Sequence, residues 1–248
     1  MLAQEKTLRL LPLEVNFGQQ AMALDEVLLQ KAAQGQASLR FYQWASPTVS
    51  LGYFQPFDAS FYFKGLEVVR RPTGGDMLIH HHELTYALAL PEEMVPQKVE
   101  ELACMVHGAI ASLLGKLGVP TGCQSAKGKL EMPAAPEGVL CFLNPAAGDV
   151  LVNGCKVVGS AQRRRQGGLL QHGSVLLNSS SHAPWLKGVL DFYPINVSTA
   201  ELAKLLSAKI PLALKLITKV DSWTQTELDR AAHLVECRYG SADWNNRR

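Results

Sequence analysis

The 248-residue sequence lacks long hydrophobic runs, an excess of one charge and any cysteine framework. A membrane-spanning helix needs about 20 mostly apolar residues. The longest apolar stretches, such as Tyr86–Leu90 and Val139–Leu143, fall far short of that. Glu5, Lys6 and Arg9 interrupt any apolar signal-peptide core near the amino end. A cytoplasmic protein without a membrane partner is therefore expected. Lys+Arg 24 against Asp+Glu 22 leaves a net charge of +2. That is too small for a dedicated nucleic-acid binder, so no nucleic-acid partner is expected. The cysteines, Cys104, Cys123, Cys141, Cys155 and Cys237, are odd in number and form no CxxC. Neither a disulfide set nor a structural zinc site is indicated.

What is present is a globular composition, 47% hydrophobic and 19% charged, with enough chain for a core that needs no cross-links. Asn16 and Gln19 are placed to cap a helix running to about Gln34 and stopped by Gly35. Leu39–Trp44 alternates as a half-buried strand does. Thr48–Gly52, Val68–Arg71 and Leu84–Leu90 are further strand candidates, with a loop through Arg71-Pro-Thr-Gly-Gly-Asp76. Lys98–Leu117 has helical apolar spacing closed by Gly118 and Pro120. Residues 126–138 read as a loop. Asp149–Val152, Asn153-Gly154 and Cys155–Ser160 form a hairpin signature, because Asn-Gly tolerates the positive φ of a tight primed turn. Leu169–Leu177 reads as a strand. Ser198-x-x-Glu201 and Thr224-x-x-Glu227 are capping boxes opening two late helices, the second ended by Gly240.

Strands precede, interleave with and follow helices, and hairpins occur. The expected fold class is α+β, a mixed and mainly antiparallel sheet with flanking helices. No composition break divides the chain, so 1–248 is expected to be one catalytic domain.

Two segments suggest chemistry. In Arg70-Arg71-Pro72-Thr73-Gly74-Gly75-Asp76, paired glycines let a backbone approach a ligand, and adjacent arginines suit a carboxylate or phosphate. A sharp turn between strands explains the glycines equally well. In Asn153-Gly-Cys-Lys156-Val-Val-Gly159-Ser160-Ala161-Gln162, a lysine on a hairpin arm precedes small residues that leave room for a substrate chain. A surface lysine is the plain alternative. His80 and His82 share a face if their segment is a strand, but spacing nominates no third metal ligand, and no metal is expected. Arg163-Arg164-Arg165 reads as a solvated loop, with docking of acidic acyl carrier proteins or lipoyl domains as the second reading and nucleic acid as a weaker third.

Together, RRPTGG…H…ELTY, CF, NGCKVVGSAQ and LQHGS resemble the lipoate-protein ligase and octanoyltransferase family, closest to its cysteine-dependent lipoyl(octanoyl)transferases. Met22–Glu26, Leu39–Trp44, Ser50–Gln55 and Tyr239–Asn245 extend the likeness over nearly the whole chain. The resemblance implies the biotin/lipoate-ligase-like fold and an acyl tunnel. It implies substrate-binding roles for Arg71, Gly74, Gly75, Asp76, His80, Gly159, Ser160, Ala161 and His172, and catalytic roles for Cys141 and Lys156. It also implies octanoyl-acyl carrier protein as donor. The acceptor would be a lysine of a lipoyl domain, on glycine cleavage H protein or a 2-oxoacid dehydrogenase subunit.

In that reading Cys141 attacks the thioester as its thiolate, and the ammonium of Lys156, fifteen positions on, favours that charge. The donor is already activated, so no cofactor is needed. Cys104 is expected in the core of the amphipathic helix, Cys155 as a packing residue facing away from Lys156, Cys123 in a loop and Cys237 in the last helix. The chain departs from the family pattern at Asp76, where Arg usually follows the glycines. It departs also at Met77, at His81 where Asp is usual, and at Cys155 where a basic residue precedes the lysine. An ATP- and Mg-dependent lipoate ligase using Lys156 is one alternative. The others are an octanoyl amidotransferase between lipoyl-domain proteins and a non-catalytic acyl-binding homologue.

Overall fold

The computed structural model describes residues 6–58, 63–123, 142 and 145–247. The strands are β1 (Thr7–Leu10), β2 (Glu14–Asn16), β3 (Ser38–Trp44), β4 (Thr48–Leu51), β5 (Glu67–Arg70) and β6 (Leu78–His80). They continue with β7 (Glu83–Pro91), β8 (Gly122–Cys123), β9 (Val150–Val152), β10 (Cys155–Arg165), β11 (Gly168–Leu176) and β12 (Ile217–Val220). The helices are α1 (Gly18–Ala32), α2 (Val99–Lys116), α3 (Thr199–Ala213), α4 (Gln225–Leu234) and α5 (Ala242–Asn245), with a π-helical segment, Val235–Tyr239, after α4.

The large sheet has the order β12-β1-β3-β7-β11-β10-β9-β8, with β2 beside β3. From β3 through β8 every neighbour is antiparallel, whereas β12, β1 and β2 join in parallel. A second sheet, β5-β4-β6, is mixed. The α+β expectation, mainly antiparallel, holds.

The strand β7 shows why the layers stack as they do. Leu84, Tyr86, Leu88 and Leu90 enter one core with Leu102, Val106 and Ile110 of α2 and Leu202 and Leu206 of α3. The alternate residues Ala87 and Ala89 enter the opposite core with Met22, Leu28 and Leu29 of α1. Large residues fill the gap on one face, and small ones let α1 lie close on the other. The same sandwiching buries β3 on both faces, so the half-buried strand expected for Leu39–Trp44 is a central one. A third core joins the small sheet to the large one, through Val49, Leu51, Met77 and Ile79 with Phe142 and Leu176.

Several expectations are corrected. Phe17, not Asn16 or Gln19, caps α1, with its backbone N–H donating to Gln20 Oε1 at 3.4 Å. Asn16 closes β2, where its Oδ1 accepts from Arg40 at 3.3 Å. Arg163–Arg165 is the end of β10 and not a loop, because pairing with β11 continues through Arg165↔Gly168. Cys104 lies on the exposed side of α2 rather than in the core, and Cys123 belongs to β8. Strands β1, β2 and β12 had no recognisable signature, being short and paired far along the chain. The hairpin forms as expected: Asn153 and Gly154 have φ of 49° and 78°. Both capping boxes form, with Ser198 accepting from Glu201 N and Thr224 from Glu227 N.

Candidate active site

A cleft opens between α1, the small sheet and strands β3, β7, β10 and β11; its empty space, mouth included, is about 420 Å³. Of the residues expected to bind substrate, Arg71, His80, Gly159, Ser160, Ala161 and His172 line it. Gly74, Gly75 and Asp76 form the adjoining loop. Met22, Trp44, Ser50, Leu78 and Phe142 are among the further wall residues and were not foreseen. Their own signals, an amphipathic helix and alternating strands, mark only burial and not which buried residues border a void.

The loop is built by arginines. Arg71 donates from Nη1 to Ser50 O at 2.9 Å and from Nη2 to Gly74 O at 2.8 Å and Asp76 O at 2.7 Å. Arg70, fully buried, donates to Gly52 O at 2.9 Å, Gln55 O at 2.6 Å and Asn245 O at 2.9 Å. Both guanidinium groups thus hold backbone carbonyls. Gly75 has φ of 87°, a region costly for side chains, and a Cβ on Gly52 would collide with its carbonyl.

Two histidine relays fix the cavity wall. His172 Nδ1 lies 2.8 Å from Asp25 Oδ2, and its Nε2 lies 2.7 Å from Thr73 Oγ1. Asp25, fully buried in α1, also accepts from Arg40 Nε at 3.1 Å and Tyr42 Oη at 3.1 Å. Burial holds the Tyr42 phenol neutral, with its pKa well above the ordinary value, so it donates. His80 Nδ1 lies 2.7 Å from Glu83 Oε1 and its Nε2 2.7 Å from Ser50 Oγ. Burial pulls the His80 pKa down. Burial alone would raise the pKa of Glu83, but its bonds to His80, Ser174 and Thr85 outweigh that and lower it. An ionised Glu83 accepts, which puts the proton on Nδ1 and leaves Nε2 to accept from Ser50. Trp44 stacks on His80 with centroids 3.8 Å apart.

Lys156 is buried in β10, and Asp149 Oδ2 lies 2.7 Å from its Nζ. The pairing of β10 with β9 shifts from Lys156↔Leu151 to Val158↔Val150. This bulge re-aims the side chains that follow it. The Lys156 chain runs across Gly159, where a Cβ would stand 2.8 Å from Nζ. Phe142 lies with its ring centroid 4.9 Å from the same Nζ. Cys141, the expected nucleophile, lies outside the described residues. In the sequence Asp149 shows only as the start of a hairpin strand. A carboxylate just beyond the hairpin arm that faces a lysine was the available signal.

Cys155 is half-buried, and burial raises its thiol pKa. Among the described residues no group of three or more His, Cys, Asp or Glu is arranged to hold a metal ion. No helix among them is long and apolar enough to cross a membrane.

The family model described as Lipoyl protein ligase A/B catalytic domain matches residues 18–210. The octanoyltransferase LipM of Symbiobacterium thermophilum is 33% identical over 276 residues, covering 98% of this chain and 100% of that protein. LipM of Bacillus subtilis is 31% identical over 262 residues, covering 92% and 93%. Among solved structures, the bi-partite lipoate protein ligase of Thermoplasma acidophilum, studied with its E2 lipoyl domain, superposes with a TM-score of 0.75. It shares 21% identity over 98% of this chain and 97% of that one, a likeness of fold.

Proposed function

The chain belongs to the lipoyl protein ligase A/B catalytic-domain family, and we propose that it is an octanoyltransferase working through a thioester on Cys141. In this reading the donor is octanoyl-acyl carrier protein and the acceptor is a lysine of a lipoyl domain. The observation that carries it is the placement of Lys156. A buried ammonium, lying across Gly159 and packed against Phe142, stands beside the cleft that both of those residues line. The named likeness to octanoyltransferases supports the reaction class.

The Cys141 thiolate attacks the octanoyl carbonyl, forming the C–S bond of an acyl-enzyme and releasing the carrier thiolate, which takes up a proton. The lipoyl-domain amine then attacks the same carbonyl. A C–N bond forms, the C–S bond breaks, and the amine's proton passes to the departing Cys141 sulfur. Lys156 favours the thiolate and the developing oxyanion by its charge. Asp149 fixes the direction of that charge. Arg71 shapes the loop wall through its carbonyl contacts, and His80 and His172 hold the wall through their relays. A thioester-to-amide exchange runs downhill and uses no ATP.

Intact mass after mixing the protein with octanoyl-acyl carrier protein, without ATP, tests this. An octanoyl adduct is expected, and Cys141→Ala abolishes it. Absence of the adduct in the unmodified protein overturns the reading. Activity appearing only with ATP and Mg would assign a ligase, and activity only with an octanoylated lipoyl domain as donor would assign an amidotransferase.

A further inference from the structure

We propose that Arg163 and Arg247, which share the ring of Tyr53 at the edge of the 71–76 loop, form the landing site for the phosphate-bearing arm of an acidic donor carrier protein. This rests on the transferase reading above and assigns a surface to its donor.

The guanidinium carbons of Arg163 and Arg247 lie 4.8 and 4.2 Å from the Tyr53 ring centroid, and Arg247 also lies 4.5 Å from that of Trp244. Other arginines have a carboxylate partner: Arg164 pairs with Glu92 at 3.2 Å, and Arg165 and Arg238 share Glu26 at 3.6 and 2.5 Å. No carboxylate among the described residues pairs with Arg163 or Arg247. A guanidinium lying over a ring is pre-oriented, with its N–H edge free for a planar or tetrahedral anion. Two such groups on one ring concentrate positive charge on a small, partly exposed area.

The place is also right. The Tyr53 backbone N–H donates to Thr73 O at 2.8 Å, tying the ring to the loop. Arg163 lies two residues beyond Ala161, which lines the cavity. Phe54, 62% exposed, reaches 3.9 Å from a Cβ position on Gly74 and gives the charged patch an apolar neighbour. An apolar spot beside a charged rim is the composition of a protein-docking surface. The phosphate then distinguishes the two protein substrates. The acceptor presents a lysine ammonium and no phosphate for the two guanidinium groups to hold. The donor presents a phosphodiester on the arm that bears the thioester, which they attract.

The test compares octanoyl-acyl carrier protein with octanoyl-pantetheine, which lacks both phosphate and carrier. Arg163→Glu and Arg247→Glu are measured beside the milder Arg163→Gln/Arg247→Gln double variant, which preserves the fold if charge reversal does not. KM for the carrier-bound donor is expected to rise about tenfold or more, with weaker salt dependence and little change in kcat. KM for octanoyl-pantetheine and for the lipoyl domain is expected to stay constant. Equal losses with both donors, no loss with either, or a rise confined to the lipoyl domain would each overturn the proposal. Titration with holo- and apo-carrier protein supplies a readout independent of transfer. Tighter binding of the phosphate-bearing holo form, lost in the variants, supports the surface even if no acyl-enzyme forms and the transferase reading fails. Equal binding of the two forms overturns the surface while leaving the transferase reading intact.

Discussion

Asp149 Oδ2 lies 2.7 Å from Lys156 Nζ, with both side chains withdrawn from solvent. Asp149 also accepts from Ala146 N at 2.6 Å, so its carboxylate is oriented before the lysine meets it. Removing one partner of a buried ion pair leaves an uncompensated charge and costs roughly 3–5 kcal/mol. Asp149→Asn is therefore expected to destabilise the fold by several kcal/mol and to reduce octanoyl transfer sharply. Adding Lys156→Met should restore much of the stability and none of the activity. Urea denaturation and acyl-enzyme formation, measured in parallel, check both. Unchanged stability in Asp149→Asn would show that the pair is not energetically coupled.

Gly159 is the position that lets the lysine lie where it does. A methyl group there would meet Lys156 Cε and Nζ, and the lysine would have to move. Gly159→Ala is expected to lower transfer at least tenfold while shifting the melting temperature by only a few degrees. The flexible end of the side chain yields more easily than the backbone. Transfer kinetics beside thermal melting separate this from a general loss of fold.

The substrate loop hangs on Arg70 and the carboxyl-terminal helix. Asn245 supplies both a side-chain acceptor for Arg70 N at 2.8 Å and a backbone acceptor for its guanidinium. Trp244 Nε1 donates to Arg70 O at 2.8 Å. Lysine cannot reproduce that fork. Arg70→Lys is expected to cost about 2–3 kcal/mol, the scale of hydrogen bonds made by a charged group, and to raise the KM for donor. Hydrogen exchange over 70–77 should quicken. Protection equal to wild type in that segment would refute the anchoring role.

Glu227 ties the two ends of the chain together, accepting from Arg9 Nη1 at 2.6 Å and Nη2 at 2.8 Å. Burial by itself would raise its pKa, but the bonds from Arg9 and Thr224 prevail and lower it to about 2. A carboxyl whose folded pKa lies below its unfolded value stabilises fully above the unfolded value, about 4.3. That contribution, on the order of 3 kcal/mol, is lost as the pH falls toward 2. Chemical denaturation between pH 6 and pH 3 should show this decline. Glu227→Gln should be less stable at pH 6 and should show a flatter pH dependence. A slope identical to wild type would assign the acid sensitivity elsewhere.

Local chemistry was legible wherever neighbours in sequence are neighbours in space. The boxes at Ser198–Glu201 and Thr224–Glu227, the Asn153–Gly154 turn and the amphipathic α2 all read directly, because their defining bonds close within a few residues. Thr224–Glu227 also shows the limit. The cap was visible, yet the tie from Glu227 to Arg9 spans most of the chain and left no local trace. The same holds for β1 and β12, which pair in parallel through Thr7↔Ile217. Cys104 misled because cysteine is usually buried; at 100° per residue it falls opposite the Leu102–Val106–Ile110 stripe, on the exposed side of α2.

By itself the sequence determined the α+β class, the helices and hairpin, and the short segments whose likeness identified the family. It also set which residue types stand in the loop and on the lysine arm. The tertiary structure decided their employment. It turned Arg70 and Arg71 onto backbone carbonyls, gave His172 to Asp25 and Thr73, and gave His80 to Glu83 and Ser50. It also paired Lys156 with Asp149 across a bulge. Hydrogen bonds and ion pairs between distant segments depend on angles and distances of a few ångströms, and these exist only after the layers have packed.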